Sequence, residues 1–355
     1  MKVFRYSSRR GVPCFLAGGT LILFLYEITA NLSWNKDTRV FHAISLDKIM
    51  SIKRELNDSK ASPPAFYDGV HQWKFVMNNP DICSDAETVD MMIIVHTAPS
   101  HLDRRQRMRQ TFANRTKFLP FQVRIAFLLG LTDDETVGQH LRSEHKNFSD
   151  TILGDFKDDY HNLTLKGVMG YRWISEFCGN AQFVLKIDDD VMINMYKLLY
   201  TFRSHMYNKK KSIFCMTKPK NSAGIFRKGK WKVNPSIFYE KKTFPYDYCS
   251  GFAVLFTSDM MAPMYQAAKE VPSFWIDDLY LFGMLPSAVG GVTYYNYRKF
   301  TSLKSKEAFN CTQTRGPACP IFASLVDSDQ FMKHWKLIEN IYSTEHWRVD
   351  ARFVE

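Results

Sequence analysis

From Val89 onward the chain alternates short apolar runs with longer segments of helical spacing, and few folds accept that order. Residues 89–97 (VDMMIIVHT) read as a buried strand, 103–112 as a charged helix and 121–130 (FQVRIAFLLG) as a second strand. Thr132, with Glu135 three residues on, is expected to cap the next helix as a capping box. Thr151-Ile152-Leu153 reads as a short strand, 163–177 has helical spacing, and 183–187 (FVLKI) is another buried strand. Strands alternating with helices predict an α/β domain built on a mostly parallel sheet. No internal repeat interrupts the pattern.

Apolar residues make up 45% and charged residues 23%, which excludes a disordered chain. Seven cysteines are too few for a disulfide scaffold. The basic excess, +11 overall, is uneven. Lys2, Arg5, Arg9 and Arg10 crowd the first ten residues, and 209–242 holds eleven Lys or Arg against one acid, Glu240. Nucleic acid, a phosphate-rich small ligand and a solvated lysine face are the three readings of that second cluster. Residues 13–30 (PCFLAGGTLILFLYEITA) are apolar apart from Glu27. They are at the short end of what spans a bilayer, and the basic residues before them keep the N-terminus cytosolic. A signal anchor is the reading adopted; a cleaved signal peptide fits less well, because Ile28 spoils the small-residue cleavage pattern before Ala30. Residues 31–85, with Ser62-Pro63-Pro64 and Asn79-Pro80, read as a stem, and 86–355 as the luminal body.

Two features agree with a luminal body. Sequons fall at Asn31, Asn57, Asn114, Asn147, Asn162 and Asn310; Asn31 lies too near the expected membrane for modification. Six cysteines follow the anchor, enough for three disulfides, with Cys311 and Cys319 close enough for a local bridge.

The chemistry concentrates in three places. Asp188-Asp189-Asp190 follows the apolar strand at 183–187 directly. Adjacent carboxylates repel unless a cation neutralises them, and ligands of α/β sheets bind beyond the carboxyl ends of strands. Hard divalent cations take one or two carboxylates plus phosphate oxygens, so a metal–diphosphate site is one reading and a solvated acidic turn the other. Asp277-Asp278 sits between Phe274-Trp275-Ile276 and 279–282 (LYLF), surroundings that raise a carboxyl pKa and suit a general base; a helix cap is the alternative. In 244–251 (FPYDYCSG), Tyr246 and Tyr248 offer flat faces suited to sugars or bases, or simply a packed turn. The P-loop, G-x-S-x-G and H-E-x-x-H patterns are missing.

Read in order, these segments resemble the β-1,3-glycosyltransferase family of galactosyl- and N-acetylglucosaminyltransferases (glycosyltransferase family 31). Arg105-x-x-Met108-Arg109-x-Thr111-Phe112 is similar to R-x-x-I-R-x-T-W, and 127–130 to F-x-L-G. Residues 150–153, Asp155-Phe156-x-Asp158 and 160–166 (YHNLTLK) match D-I-L, D-F-x-D and Y-x-N-L-T-L-K, with Trp173 and Cys178 in place. Lys186-Ile187-Asp188-Asp189-Asp190 resembles K-x-D-D-D. Lys230-Trp231 and Tyr246-x-Tyr248-x-x-Gly251 follow, and 277–283 (DDLYLFG) resembles E-D-V-[FY]-x-x-G. The resemblance covers roughly 90–340.

It implies a type II Golgi membrane protein: cytoplasmic tail 1–12, signal anchor 13–30, luminal stem 31–85, and a catalytic domain 86–355 of the GT-A nucleotide-diphospho-sugar transferase fold, a mixed, mostly parallel sheet flanked by helices. The implied reaction is inverting transfer of galactose or an N-acetylhexosamine from a UDP-sugar to an acceptor glycan on glycoprotein or glycolipid, forming a β-1,3 linkage. Asp188 and Asp190 would hold Mn²⁺, with Asp190 foremost, and Asp189 would bind the donor with them. Arg105, Arg109, Lys166, Tyr246, Tyr248 and Gly251 would bind the donor or shape its pocket; for the two arginines a structural role is the equal alternative. Asp277 or Asp278 would deprotonate the acceptor. Asn57, Asn114, Asn147, Asn162 and Asn310 would carry glycans, although Asn162 lies inside a family motif and is open to a structural role. Partners would be UDP-sugar, the acceptor glycan, the membrane through one helix and, as a candidate assembly, a homodimer; nucleic acid is not expected.

Four departures stand out. Met108, Phe112 and Asp277 replace Ile, Trp and Glu. The fourth concerns a His that the family offers before a late Trp: the stretch 321–327 (IFASLVD) has none, His334 comes too late, and Ser324 is expected in that place. That absence keeps open a noncatalytic luminal relative that binds sugar or a partner glycosyltransferase. A sulfotransferase would suit the basic cluster but lacks its phosphate-binding loop.

Overall fold

A computed structural model describes residues 46–57 and 73–343. The expected anchor at 13–30 and Asn31 lie outside them, and no helix among the described residues is long and apolar enough to cross a membrane.

Helix α1 (Leu46–Asn57) is followed by strand β1 (Phe75–Met77) and then by the alternating series read from the sequence. That series runs β2 (Val89–His96), α2 (Leu102–Gln110), β3 (Val123–Leu131), α3 (Glu135–Phe148), β4 (Thr151–Lys157), α4 (Leu163–Phe177) and β5 (Ala181–Asp188). One cap differs from expectation. Asp134, not Thr132, caps α3, accepting from Val137 N–H at 3.1 Å; the Thr132 hydroxyl accepts from Asp134 N–H one step earlier. A carboxylate is the better acceptor at a helix N-terminus, where the macrodipole favours negative charge.

After β5 come β6 (Val191–Ile193), helical turns over 195–206, β7 (Ser212–Lys218), β8 (Tyr248–Thr257) and α5 (Met261–Glu270). Helical turns over 277–289, β9 (Thr293–Asn296), β10 (Thr301–Ser302), α6 (Ser305–Arg315), β11 (Ala323–Leu325) and α7 (Phe331–Tyr342) complete the fold. The main sheet has eight strands in the order β1-β4-β3-β2-β5-β8-β7-β9, and β10-β11-β6 form a small second sheet. β4, β3, β2 and β5 run parallel, while β8 runs antiparallel to β5 and β7. The result is a mixed sheet with a parallel half.

Both faces of the sheet are covered, so the central strands read as continuous apolar runs rather than alternating ones. Met92, Ile94 and Val184 pack into one core with Trp173 of α4 and Met261 of α5. Met91, Ile93 and Leu185 pack into the other with Met108 of α2 and Trp335 of α7.

The stem reading of 31–85 is corrected for the described residues within it. β1 pairs antiparallel with β4 as an edge strand, and Cys83 is bonded to Cys178 at the end of α4. Ile49 and Ile52 of α1 are buried in the first core. Three-residue β1 is too short to show a period in sequence. The other pairings are Cys215–Cys249 and Cys311–Cys319, the second as expected.

Of the sequons, Asn147 and Asn310 are exposed and Asn114 is half-buried. Asn162 serves the fold: its side-chain amide donates to the Lys157 carbonyl at 2.9 Å, and the buried Thr164 hydroxyl donates to Phe274.

Candidate active site

The carboxyl ends of β2 and β5 lie side by side, with His96 opposite Asp188 in register, and they open onto a cleft of about 700 Å³. Asp188, Asp189 and Asp190 line it, with Asp277 and Asp278, Lys166, Tyr248 and Gly251. The structure therefore brings both acidic groups of the sequence into one cavity, at the end of the sheet where α/β proteins bind ligands.

The three adjacent carboxylates have different fates. Asp188 accepts from the buried Lys186 ammonium at 2.6 Å and stays substantially open to solvent. Asp189 is committed: its oxygens accept from Thr97 Oγ1 at 2.6 Å and Arg104 Nη1 at 2.7 Å, and Nδ1 of His101 lies at 2.7 Å. Burial would raise its pKa, but these partners outweigh it and hold the carboxyl below its ordinary value. Asp190 receives no side-chain donor among the described residues, and burial together with Asp188 and Asp189 raises its pKa. Arg104, bonded to Asp189, offsets this only in part; a half-buried carboxylate with no side-chain donor of its own suits a divalent metal. Such a metal needs only one or two carboxylates once donor phosphates complete its shell. Among the described residues no group of three or more His, Cys, Asp or Glu converges as a complete metal site.

Across the cleft, Asp277 and Asp278 open the helical turns over 277–289. Burial raises both pKa values. They differ in what comes next: Lys186 offsets the effect chiefly at Asp277, whereas Asp278 mainly feels the repulsion of Asp277 and is pushed up to about 7. Lys186 links the two walls, donating to Asp188 and, at 2.8 Å, to the Gly251 carbonyl. Burial opposes its charge, but Asp188, Asp277 and Asp278 outweigh burial and raise its pKa.

Gly251 is a matter of space. It lies in β8 with its N–H bonded to Asp278, and a Cβ there would sit 2.1 Å from Asp278 Oδ1 and 3.0 Å from Phe282 Cε2. Gly251→Ala must push the Asp278 carboxyl aside. Gly130 is a second close approach: a Cβ there would meet Asp158 N at 2.8 Å. Asp158 accepts from Gly130 N–H at 2.6 Å and from Lys166 Nζ at 2.8 Å, and Lys166 reaches on to the Thr97 carbonyl at 2.7 Å. Burial lowers the Lys166 pKa against the pull of Asp158. The F-L-L-G, D-F-x-D and N-L-T-L-K segments thus build one wall of the cleft.

Three expected donor contacts are placed elsewhere. Arg105 is fully buried, doubly bonded to Glu144 at 2.8 and 2.7 Å, with its remaining donors on Thr97, Ala98 and Pro99. Arg109, one turn on, clasps Asp150 and Glu144 and stacks on Phe127 and Phe148. Both arginines tie α2 to α3 and do not line the cleft, the structural alternative of the sequence reading. Arg105→Ala removes two of the bonds to the buried Glu144 and leaves Arg109 as its remaining cation; the loss in denaturant unfolding should therefore fall below the ~3–5 kcal/mol typical of a buried pair broken outright. Tyr246 packs against Phe238 and does not line the cleft; of this pair only Tyr248 does, its pKa pushed up to about 12 by burial and Asp278.

Ser324 does not line the cleft. It is buried in β11 opposite Met192 and Ser302, beside His334, whose pKa burial lowers to about 4. The exposed acid of that stretch is Asp327, which shares a second depression of about 470 Å³ with Asp190. Val326 N–H donates to the Asp190 carbonyl, fixing the strand end beside the acid triplet. Sequence reasoning also missed His96, His101 and Arg104. His96 lies buried in the cleft wall with neither ring nitrogen bonded among the described residues, and burial, Lys186 and Lys166 hold its pKa well below the ordinary value. Their signal was position: His96 ends β2, His101 lies in the turn after it and Arg104 is in the first turn of α2.

A family model described as galactosyltransferase matches residues 103–298, more than half of the chain. Beta-1,3-galactosyltransferase 1 of Mus musculus is 30% identical over 213 residues, 59% of this chain and 64% of that protein. Lactosylceramide 1,3-N-acetyl-beta-D-glucosaminyltransferase B of Xenopus laevis is 29% identical over 250 residues, 68% of this chain and 65% of that protein. The chain thus spans a little under two thirds of the length of these relatives. A crystal structure of the galactosyltransferase LgtC with donor and acceptor sugar analogs is similar over 73% of this chain and 99% of that one, at 12% identity and a TM-score of 0.35, too loosely to assign residues. By the extent of the family match, the chain belongs to the galactosyltransferase family.

Proposed function

We propose that the protein is an inverting UDP-sugar-dependent hexosyltransferase of GT-A type, moving galactose or an N-acetylhexosamine to a hydroxyl of a glycan in β-1,3 linkage. The observation that carries this reading is the meeting in one cleft of an open acid, Asp190, with the raised pair Asp277 and Asp278. Asp190 and Asp188 would hold a divalent cation such as Mn²⁺, with Asp327 nearby. When bound, the cation supplies charge stabilisation to the departing diphosphate.

The chain's own residues do the rest. Lys166 and Lys186 fix the cleft walls through Asp158, Thr97, Asp188 and Gly251. Asp278 accepts the proton of the acceptor hydroxyl as that oxygen attacks the anomeric carbon from the face opposite the departing UDP. A carboxyl with a pKa of about 7 retains basicity that an ordinary one lacks, and Gly251 N–H holds it in place. Three disulfides support an oxidising lumen, and with the apolar stretch at 13–30 they favour a Golgi protein anchored by its N-terminus.

The test is a screen of the full-length chain with UDP-galactose, UDP-N-acetylglucosamine and UDP-N-acetylgalactosamine against galactose- and N-acetylglucosamine-terminated acceptors. UDP release is the readout, and NMR assigns the linkage formed. Metal-dependent transfer giving a β-1,3 product is expected. A folded chain that neither transfers nor hydrolyses any of the donors would contradict the proposal.

A further inference from the structure

The segment between β7 and β8, residues 219–247, is a built lobe at the mouth of the cleft. The Cys215–Cys249 disulfide ties its base. Arg227 staples its interior, donating to the carbonyls of Asn234, Ile237 and Phe238 at 2.8, 3.0 and 2.9 Å, and Val233 N–H donates to the Phe226 carbonyl at 2.8 Å. The lobe presents two large exposed aromatics to the cleft, Phe226 and Trp231, at 53% and 47% exposure. Trp231 Nε1 donates to the hydroxyl of Tyr160, itself exposed at 42% on the opposite lip. Aromatic faces kept in water against the cost of their apolar area mark a surface that something else covers.

The same lobe carries unbalanced charge. Lys220, Lys228, Lys230 and Lys232 are exposed and Lys218 lines the cleft; none pairs with a carboxylate among the described residues. Lys230 Nζ stands 4.2 Å from the Tyr160 ring centre, and Lys218 Nζ 5.9 Å from that of Tyr248. The nearby acids are otherwise engaged or outnumbered: Asp159 is bonded to His161, Asp247 accepts the backbone N–H of Lys220, and Glu240 stands alone in the segment. Clustered cations in a cleft mouth raise the local concentration of anions. The carboxylates sit at the floor and the unpaired ammonium groups at the lip, so the two ends of the cleft select opposite charges.

We propose that this lobe selects an acceptor saccharide bearing an acidic group, a carboxylate or a sulfate, its ring lying on Trp231 and Phe226 and its anion held by Lys218, Lys230 and Lys232. This rests on the transferase reading and narrows its acceptor class.

The experiment is calorimetry on the full-length chain in the presence of UDP and Mn²⁺, with three probes: galactosyl-N-acetylglucosamine, its 6-O-sulfate, and a glucuronosyl counterpart. Each exposed charge pair contributes modestly, so three of them together should tighten an acidic probe about tenfold over the neutral one. Comparison of the sulfate and the uronic acid identifies which anion is preferred. The preference is expected to shrink at high salt and to vanish in the Lys218→Ala/Lys230→Ala/Lys232→Ala variant, with UDP affinity unchanged. Equal binding of all three probes overturns the proposal, as does a preference that survives in the triple variant. A triple variant that loses UDP affinity by the same factor also overturns it, by assigning the lysines to the donor. The UDP titration of the unmodified chain judges the transferase reading separately: a chain that binds UDP without acidic preference contradicts only the lobe's role.

Discussion

Asp278→Asn is expected to lower the rate of sugar transfer by about 10²–10⁴-fold, the usual share of a general base, while leaving UDP affinity where it was. The substitution keeps the shape of the side chain and the bond from Gly251 N–H but removes the only function that moves a proton. In the unmodified protein kcat/KM should rise with pH and level off above about 7, where Asp278 is deprotonated. The variant should also be more stable. Asp278 has its pKa raised in the fold, whereas an unfolded Asp titrates near ~3.9. The folded state therefore holds the proton more tightly. Its contribution falls as pH climbs from about 4 and is fully lost above about 7, the opposite direction from a salt-bridged acid. Thermal melts with chelator present should show the unmodified chain losing stability across that window and Asp278→Asn losing less. A variant that transfers sugar at the unmodified rate would move the base to Asp277.

Asp190→Ala should have the complementary effect. UDP binding in Mn²⁺ is expected to weaken about 100-fold or more, since charge stabilisation by a bound cation is worth several kcal/mol and each ~1.4 kcal/mol is tenfold. In chelator the variant and the unmodified chain should bind UDP equally. The fold should not suffer, because Asp190 accepts no side-chain hydrogen bond among the described residues and its repulsion from Asp188 and Asp189 disappears. Asp189→Ala is the contrast: that carboxylate holds Thr97, His101 and Arg104, so its loss should loosen the segment after β2 and reduce stability as well as binding. Calorimetry paired with melting curves separates the two.

The parallel half of the sheet was legible because doubly buried strands are continuous apolar runs and the helices between them are amphipathic. Helix 163–177 falls where its spacing predicts, and β5 extends the predicted run by only a few residues. The edge strand β1 was not legible: three residues whose partner is 76 or more positions away leave no period to read. The site was legible as composition but not as division of labour. Nothing in Asp188-Asp189-Asp190 says that the middle carboxylate faces three side-chain partners while the third accepts no side-chain bond; that follows from Thr97 and His101 after β2 and Arg104 at the start of α2. Arg105 and Arg109 show the converse. Two arginines one helical turn apart look like an anion site until Glu144 and Asp150 are found against them. Likewise the place of Ser324 depended on the register of β11, which a three-residue strand does not announce.

In the proposed function the acidic cleft binds a nucleoside diphosphate through a divalent cation. The most direct measurement is a calorimetric titration of UDP into the full-length chain, once with Mn²⁺ and once with EDTA. Binding in Mn²⁺ that weakens at least about tenfold in EDTA is the result predicted for a cation held by Asp190 and Asp188. A folded chain that binds no UDP in either condition would overturn the donor site and leave a noncatalytic relative with the same fold.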